Sequence, residues 1–169
     1  MAKVVSIGNQ GFDTIRMQDS FYIDKTKLIK EWWEKEDVIT LITRPRRFGK
    51  TLNMDMLKCF FSNQYRDQGQ LFEGLNIWKE EKYQQLQGTY PVIYLSFADV
   101  KQTNDKDAVL KIKKIITDVY QQYIELAGWE GLTEVQVRQF QSVDPYMDDV
   151  TAQCALKDLS GYLYRYYEK

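Results

Sequence analysis

The chain of 169 residues contains no histidine. Imidazole is the partner of the nucleophile in Ser-His and Cys-His catalytic pairs, and it is the commonest metal ligand and proton shuttle near neutral pH. The absence of histidine therefore excludes all of these sites within this chain. Any chemistry must come from carboxylates, lysines, arginines, hydroxyl groups or backbone amides.

Cysteine is also scarce. Only Cys59 and Cys154 occur, far apart in the sequence and without a CxxC pair. A structural zinc site needs about four ligands close together, so the sequence argues against one. Each cysteine falls in an apolar stretch with helical spacing, and we expect both to be buried, reduced thiols.

Long apolar runs are missing. The longest are about five residues, far below the ~20 that a membrane-spanning helix needs. The first ten residues, MAKVVSIGNQ, lack the apolar stretch of a secretory signal. We therefore expect a cytoplasmic protein that does not contact a membrane.

Neither sign of charge is in excess, since 23 Lys and Arg face 24 Asp and Glu for a net charge of −1. A chain-wide basic field that would attract nucleic acid is absent, so any anion site must be local. Only three prolines occur, and no Gly/Ser-rich linker divides the chain. We predict a single domain over residues 1–169.

What the sequence does have is helical periodicity. Apolar residues recur every three or four positions behind residues that favour helix N-caps. Five helices are predicted, over about 24–34, from 51 onward, from about 105 to 128, from 133 to about 140, and over the segment that carries Ala152 to Tyr166. Residues 64–88 are more polar and predict short helices or a packed loop.

Three apolar segments predict strands, Phe21–Ile23, Val38–Ile42 and Pro91–Phe97. Val38–Ile42 is β-branched, uncharged and bounded by charge, which is typical of a strand buried on both faces of a parallel sheet. Strands that alternate with helices indicate the α/β class, with a parallel sheet flanked by helices. Two long strands are too few for a complete doubly wound sheet.

One motif stands out between the second strand and the helix that follows. Arg44-Pro45-Arg46-Arg47-Phe48-Gly49-Lys50-Thr51 ends in the Gly-Lys-Thr of a phosphate-binding loop, although Arg44 occupies the position of its first glycine. Amides at a helix N-terminus stabilise phosphate, and Gly49 lets the backbone approach closely. Lys50 can reach the β- and γ-phosphates, and the Thr51 hydroxyl can ligate Mg²⁺.

The candidate ligand-binding residues are therefore contiguous: Arg44, Arg46, Arg47, Phe48, Gly49, Lys50, Thr51 and Leu52. Two other interpretations of the same segment stay open. It is a solvated structural turn, or it is a contact patch for nucleic acid, in which case binding is salt-dependent and independent of sequence.

Three segments of the chain carry a family resemblance. Phe21 to Thr26 before a helix, Ile42 to Leu52, and Pro91 to Phe97 together resemble the predicted AAA-ATPase-like family of bacteria. The resemblance covers essentially the whole chain, and the RPRRFGKT segment is the family's form of the P-loop (Walker A). It implies ATP and Mg²⁺ as ligands, a partial P-loop NTPase-like sheet truncated before the Walker B strand, and commonly a C-terminal domain similar to PD-(D/E)xK nucleases.

Hydrolysis needs carboxylates in addition to the loop, to hold Mg²⁺ and orient water. The resemblance places a strand ending in Asp-Glu after the last helix, where this chain stops at Lys169. Asp99, after the strand 91–97, is a candidate for the magnesium or water-positioning role, because strand ends are where α/β sheets carry their sites. Asp148-Asp149 fits better as favourable charge at a helix start.

Two further segments admit a structural and a functional interpretation. Asp24-Lys25-Thr26 is either a helix cap or a wall of the nucleotide site. The Trp32-Trp33 pair is either packed in the core or available for base stacking or partner contact.

The expected function is nucleotide binding with weak or absent turnover. The alternatives are a nucleic-acid-binding module that uses the Arg44–Lys50 loop, and an interaction or regulatory domain without catalysis. In the last case an unpaired sheet edge favours pairing with another chain, including a second copy.

Overall fold

The structure is a computed structural model that describes residues 4–5, 8–43, 45 and 48–169. The chain divides into two compact units, Met1–Val92 and Ile93–Lys169. Seven α-helices are present in the described part of the chain: α1 Phe12–Met17, α2 Lys27–Lys35, α3 Lys50–Phe61, α4 Glu81–Leu86, α5 Asp105–Gln121, α6 Glu134–Gln141 and α7 Asp149–Tyr167. Short 3-10 helices cover Asn63–Tyr65, Gly69–Phe72, Asn76–Lys79 and Ile124–Gly128.

The predicted α/β fold with a parallel sheet is wrong. The described residues form no strand, and their β-pairing is limited to one isolated parallel bridge between Ser62 and Tyr90. Phe21–Ile23, Val38–Ile42 and Pro91–Phe97 have irregular backbone. A strand requires a paired neighbour as well as β-branched side chains. Val38 and Ile39 are 97% and 88% exposed, so these two side chains are not buried in a sheet.

Aromatic side chains build the core of the first unit. Phe12 of α1 stacks on Phe72 at 5.1 Å between ring centroids, and Phe60 of α3 meets Phe72 edge-to-face, also at 5.1 Å. Trp32 and Trp33 of α2 both contact Phe61 of α3. The packing interpretation of the tryptophan pair is therefore confirmed, and this core fixes α3 against α1 and α2.

A tight turn closes the segment after α4. Gly88 has φ +69° and its amide donates to the Phe60 carbonyl at 2.8 Å. A Cβ at this position would lie 2.4 Å from the Cα of Arg66, so only glycine fits.

Helical periodicity also builds the second unit, from α5, α6 and α7. Asn104 caps α5 by accepting from the Asp107 amide, Thr133 and Gln136 form a capping box at the start of α6, and Asp148 caps α7 by accepting from the Thr151 amide. These three helix starts agree with the sequence. Asp148 thus has the helix-start role expected of it. The helix predicted from about 105 to 128 is shorter than expected, because α5 ends at Gln121 and a separate 3-10 helix covers Ile124–Gly128.

The two cysteines are both free, but only Cys59 is buried. Burial raises the pKa of the Cys59 thiol to about 12, since the charged thiolate loses its hydration there. Cys154 faces outward on α7, so the expectation that both thiols are buried is wrong for Cys154.

Candidate functional site

The Gly49-Lys50-Thr51 segment lies at the N-terminus of α3. Gly49 is the N-cap residue with φ +71°, a left-handed conformation that side chains disfavour, and its carbonyl accepts the first helical hydrogen bond from the Asn53 amide at 2.9 Å. No acidic residue occupies the first turn of α3. The amides of a first helical turn have no acceptor within the helix and carry partial positive charge, so this end of α3 favours an anion.

The helix that was predicted to follow the phosphate-binding loop is thus present, but the described residues before the loop form no strand. Phe48 is 61% exposed, Thr51 is exposed, and Leu52 packs against the core of the first unit. Arg44, Arg46 and Arg47 lie outside the described residues.

Asp99 lies in an exposed turn that begins after Phe97. Because no strand precedes it, the strand-end argument that made Asp99 a candidate does not apply.

Lys25 lies beside this helix end. A Cβ on Gly49 would lie 3.4 Å from the Lys25 Nζ, so the ammonium group lies in van der Waals range of this helix start. Lys25 precedes α2 and is 24 positions away from Gly49 in the sequence. The fold therefore brings a second lysine to the segment that carries Lys50.

Hydrogen bonds hold the turn that presents Lys25. Asp24 Oδ1 accepts from the Thr26 amide at 2.8 Å and from Thr26 Oγ1 at 2.6 Å, and Asp24 Oδ2 accepts from the Asn76 amide at 2.7 Å. Thr26 is fully buried, and its Oγ1 accepts from the Ile77 amide at 3.2 Å. Thr26 therefore anchors the start of α2 to the Asn76–Lys79 turn, without the side-chain cap bond predicted from sequence.

The ionisation of Asp24 is coupled to this turn. Burial alone would raise the pKa of the Asp24 carboxyl, but the hydrogen bonds from Thr26 and Asn76 outweigh burial and lower the pKa below its usual value. A carboxyl whose pKa is lower in the folded chain contributes stability that is complete above the unfolded pKa and is lost as the pH falls through the folded pKa.

We expect Asp24→Asn to lower the free energy of unfolding by about 2 kcal/mol at pH 7, because the amide replaces a charged acceptor of three hydrogen bonds. This difference from the parent should shrink once the pH falls below about 3.9, the unfolded pKa of aspartate. Urea unfolding at pH 7, 4 and 3 measures it. A difference that stays constant down to pH 3 would show that the Asp24 charge does not hold the turn.

A cavity of about 660 Å³ opens next to Lys25. Its lining combines one cation, four large apolar side chains and two uncharged polar groups: Lys25, Leu28, Leu41, Ile42, Thr43, Phe48 and Asn53. Small-molecule sites have this size and this mixture of apolar walls and few polar groups. Asn53 Oδ1 is buried and has no hydrogen-bond partner among the described residues, and a buried acceptor of this kind is open to a donor from a ligand.

The sequence placed Lys25 in the Asp24-Lys25-Thr26 segment, which was interpreted either as a helix cap or as a wall of the nucleotide site. Asn53 was not predicted to belong to the site. The available indication for Asn53 is its position, one helical turn after Gly49, which places it on the same face at the start of α3. For Lys25 no local spacing could help, since only the tertiary fold brings it to Gly49.

Two features are absent from the part of the chain that the structure describes. No group of three His, Cys, Asp or Glu side chains there could hold a metal ion. In the same residues, no helix has both the length and the apolarity that crossing a membrane requires.

Comparison with known proteins identifies the family. A model of the AAA-ATPase-like family, described as "Predicted AAA-ATPase", matches residues 6–168, which include α3 and every lining residue of the cavity. Comparisons with curated proteins and with solved structures find no match. The family match covers nearly the whole chain, and the chain therefore belongs to the predicted AAA-ATPase-like family.

Proposed function

We propose that this chain binds ATP with Mg²⁺ at the N-terminus of α3. The triphosphate contacts the first-turn amides, Lys50 and Thr51, and the arginines of the 44–47 segment add local positive charge. Phe48 and Leu52 flank these contacts. The observation that carries the proposal is the left-handed Gly49 at the start of α3, beside a cavity lined by Lys25, in a chain of an ATPase-like family.

The wall of the cavity suits the nucleoside end of the ligand. Leu28, Leu41, Ile42 and Phe48 offer an apolar surface, and the exposed ring of Phe48 is available to stack on a base. Asn53 Oδ1 can accept a hydrogen bond from a ribose hydroxyl or a base amine. Inorganic phosphate would leave both features unused, which favours a nucleotide.

Mg²⁺ fits this site as an ion that arrives with the nucleotide. Mg²⁺ keeps several waters and is commonly held by few protein groups together with substrate phosphates. In this proposal the Thr51 hydroxyl, exposed at the second residue of α3, is the protein group that joins such a shell. When bound, the ion would neutralise charge on the phosphates.

Efficient hydrolysis is not part of the proposal. The cavity lining contains no carboxylate among the described residues, and P-loop hydrolysis uses a carboxylate to hold Mg²⁺ beside the phosphates. We propose that binding is detectable and that turnover is slow or absent.

Thermal unfolding with increasing Mg-ATP tests the proposal. At a ligand concentration of about 100 times Kd, binding adds ~2.7 kcal/mol, which for a chain of this size corresponds to roughly 5–10 °C in Tm. Lys50→Ala, compared with its own nucleotide-free Tm, should lose most of this shift, and Lys27→Ala, an exposed lysine paired with Glu31, should keep it. No shift in the parent, or the same shift in Lys50→Ala, would contradict the proposal.

The nucleic-acid alternative gives a different result in a second measurement. Fluorescence anisotropy with labelled DNA across a salt series should show no tight binding if the site takes ATP. DNA binding that weakens steeply with salt and ignores ATP would instead favour a nucleic-acid contact patch.

A further inference from the structure

Two positive features meet at the start of α3. The Lys25 ammonium lies beside Gly49, where α3 begins with the positive end of its dipole and where Lys50 follows. No described carboxylate forms an ion pair with Lys25, and no acid occupies the first turn of α3. A cation at the positive end of a helix is electrostatically unfavourable. An anion bound between the Lys25 ammonium and the N-terminus of α3 would interact favourably with each of them.

We infer that Lys25 is a second phosphate-binding lysine of this site, contributed by the turn before α2. The ligand is a nucleoside polyphosphate whose phosphates lie between the Lys25 Nζ and the first-turn amides of α3. This inference rests on the proposed function and adds to it a residue from outside the Gly-Lys-Thr segment.

The surroundings of Lys25 support a binding role over a structural one. The side chain is exposed, while its two neighbours in the sequence, Asp24 and Thr26, make the hydrogen bonds that hold the turn. The backbone of Lys25 is thus fixed by groups other than its own ammonium. A lysine presented in this way adds charge at a defined place and contributes little to the packing of the chain.

Gly49 completes the arrangement. An ideal Cβ on Gly49 would lie 3.4 Å from the Lys25 Nζ, an ordinary van der Waals distance, so the ammonium lies directly beside the start of α3. At this separation one phosphate can contact Lys25 and the helix amides at once.

Lys25→Met and Lys27→Met form a matched pair of variants. Each removes one positive charge from an exposed lysine at the start of α2, but Lys27 pairs with Glu31 at 3.4 Å and does not line the cavity. Binding of Mg-ATP and of sodium tripolyphosphate is measured for both by isothermal titration calorimetry, with Tm recorded without ligand.

We expect Lys25→Met to weaken both ligands by about 10- to 100-fold, the effect of losing one charge-assisted hydrogen bond to phosphate, and Lys27→Met to stay within about twofold of the parent. The ligand-free Tm of Lys25→Met should equal or exceed that of the parent, because a cation leaves the positive end of α3. A structural role for Lys25 would lower this Tm instead, and a lowered Tm would overturn the inference.

The result separates the two proposals. If the parent binds Mg-ATP, Lys50→Ala does not and Lys25→Met binds like the parent, the inference about Lys25 is wrong and the proposed function stands. If the parent does not bind, the proposed function fails and the role of Lys25 falls with it. If Lys25→Arg restores affinity to within a few-fold of the parent, the charge at this position is what the ligand requires.

Discussion

Asp55→Ala should lower the free energy of unfolding of the first unit by about 3 kcal/mol, because it leaves a buried amide and a half-buried ammonium without their acceptor. Asp55, on α3, is 7% exposed. Its Oδ2 accepts from the Phe12 amide at the start of α1 at 2.7 Å, and its Oδ1 pairs with Lys58 Nζ at 2.6 Å. The side chain thus joins α1 to the helix that carries the candidate site.

The pKa of Lys58 reports the strength of this contact. Burial alone would lower that pKa, but the hydrogen bond and the charge of Asp55 outweigh burial and raise it. A raised lysine pKa contributes stability that is complete below the unfolded value of about 10.4 and is lost only as the pH rises through the folded pKa. The contribution of Lys58 should therefore be full at neutral pH and decline as the pH rises into strong alkali.

Two variants separate the contributions of Asp55. Asp55→Asn keeps an acceptor for the Phe12 amide and should lose less than Asp55→Ala. The double variant Asp55→Ala/Lys58→Met should recover part of the loss, because no ammonium is then left without its carboxylate. If Asp55→Ala costs less than about 1 kcal/mol, the value of an ordinary surface pair, the contact does not anchor α1.

Tryptophan fluorescence during urea unfolding can follow the first unit alone. Three of the four tryptophans, Trp32, Trp33 and Trp78, belong to that unit. A Trp129→Phe background removes the fourth, which lies in the second unit. The two units need not unfold together, so a signal from one of them is required before a free energy is assigned.

Most helices of this chain could be predicted because their determinants are local. Asn104, Thr133 and Asp148 each cap a helix with their own side chain, and the spacing of apolar residues behind them specifies the buried face. Residues 64–88 likewise form the short helical turns that their mixed polarity predicts. Both kinds of information are contained within one or two helical turns of sequence.

The strand predictions were wrong because strand formation depends on residues that are distant in the sequence. The β-branched run Val38–Ile42 reports what these residues prefer, but a strand exists only when another segment pairs with it, and no spacing within the run encodes that partner. In the structure Leu41 and Ile42 line the candidate cavity instead. Leu41 and Ile42 therefore form part of a wall of the site, where the sequence predicted the centre of a sheet.

The candidate site divides in the same way. Gly49, Lys50 and Thr51 are contiguous and could be found from the motif, and α3 begins where the motif predicts. Lys25 joins them only through tertiary contacts, because the position of α2 against α3 depends on Trp32, Trp33 and Phe61 in the core. Asn53, by contrast, lies on α3 itself, one helical turn after Gly49. A core that positions the site should therefore influence it without touching the ligand.

Phe72 tests the largest part of that core. Its side chain is fully buried, it stacks on Phe12 and Trp78, and it meets Phe60 of α3 edge-to-face. Phe72→Ala removes a whole ring and leaves a cavity between α1 and α3, so we expect the free energy of unfolding of the first unit to fall by about 3–5 kcal/mol. Urea unfolding followed by tryptophan fluorescence in the Trp129→Phe background measures the loss.

Phe21→Ala is the matched control, since it makes the same truncation in the same unit at a side chain that is half exposed. Its cost should stay below about 1 kcal/mol, because little apolar surface returns to water. Similar losses for the two variants would mean that Phe72 is not the centre of the core. A smaller gain in stability from the same saturating concentration of Mg-ATP in Phe72→Ala than in the parent would link the core to the site, because an unperturbed site adds the same stabilisation to both proteins.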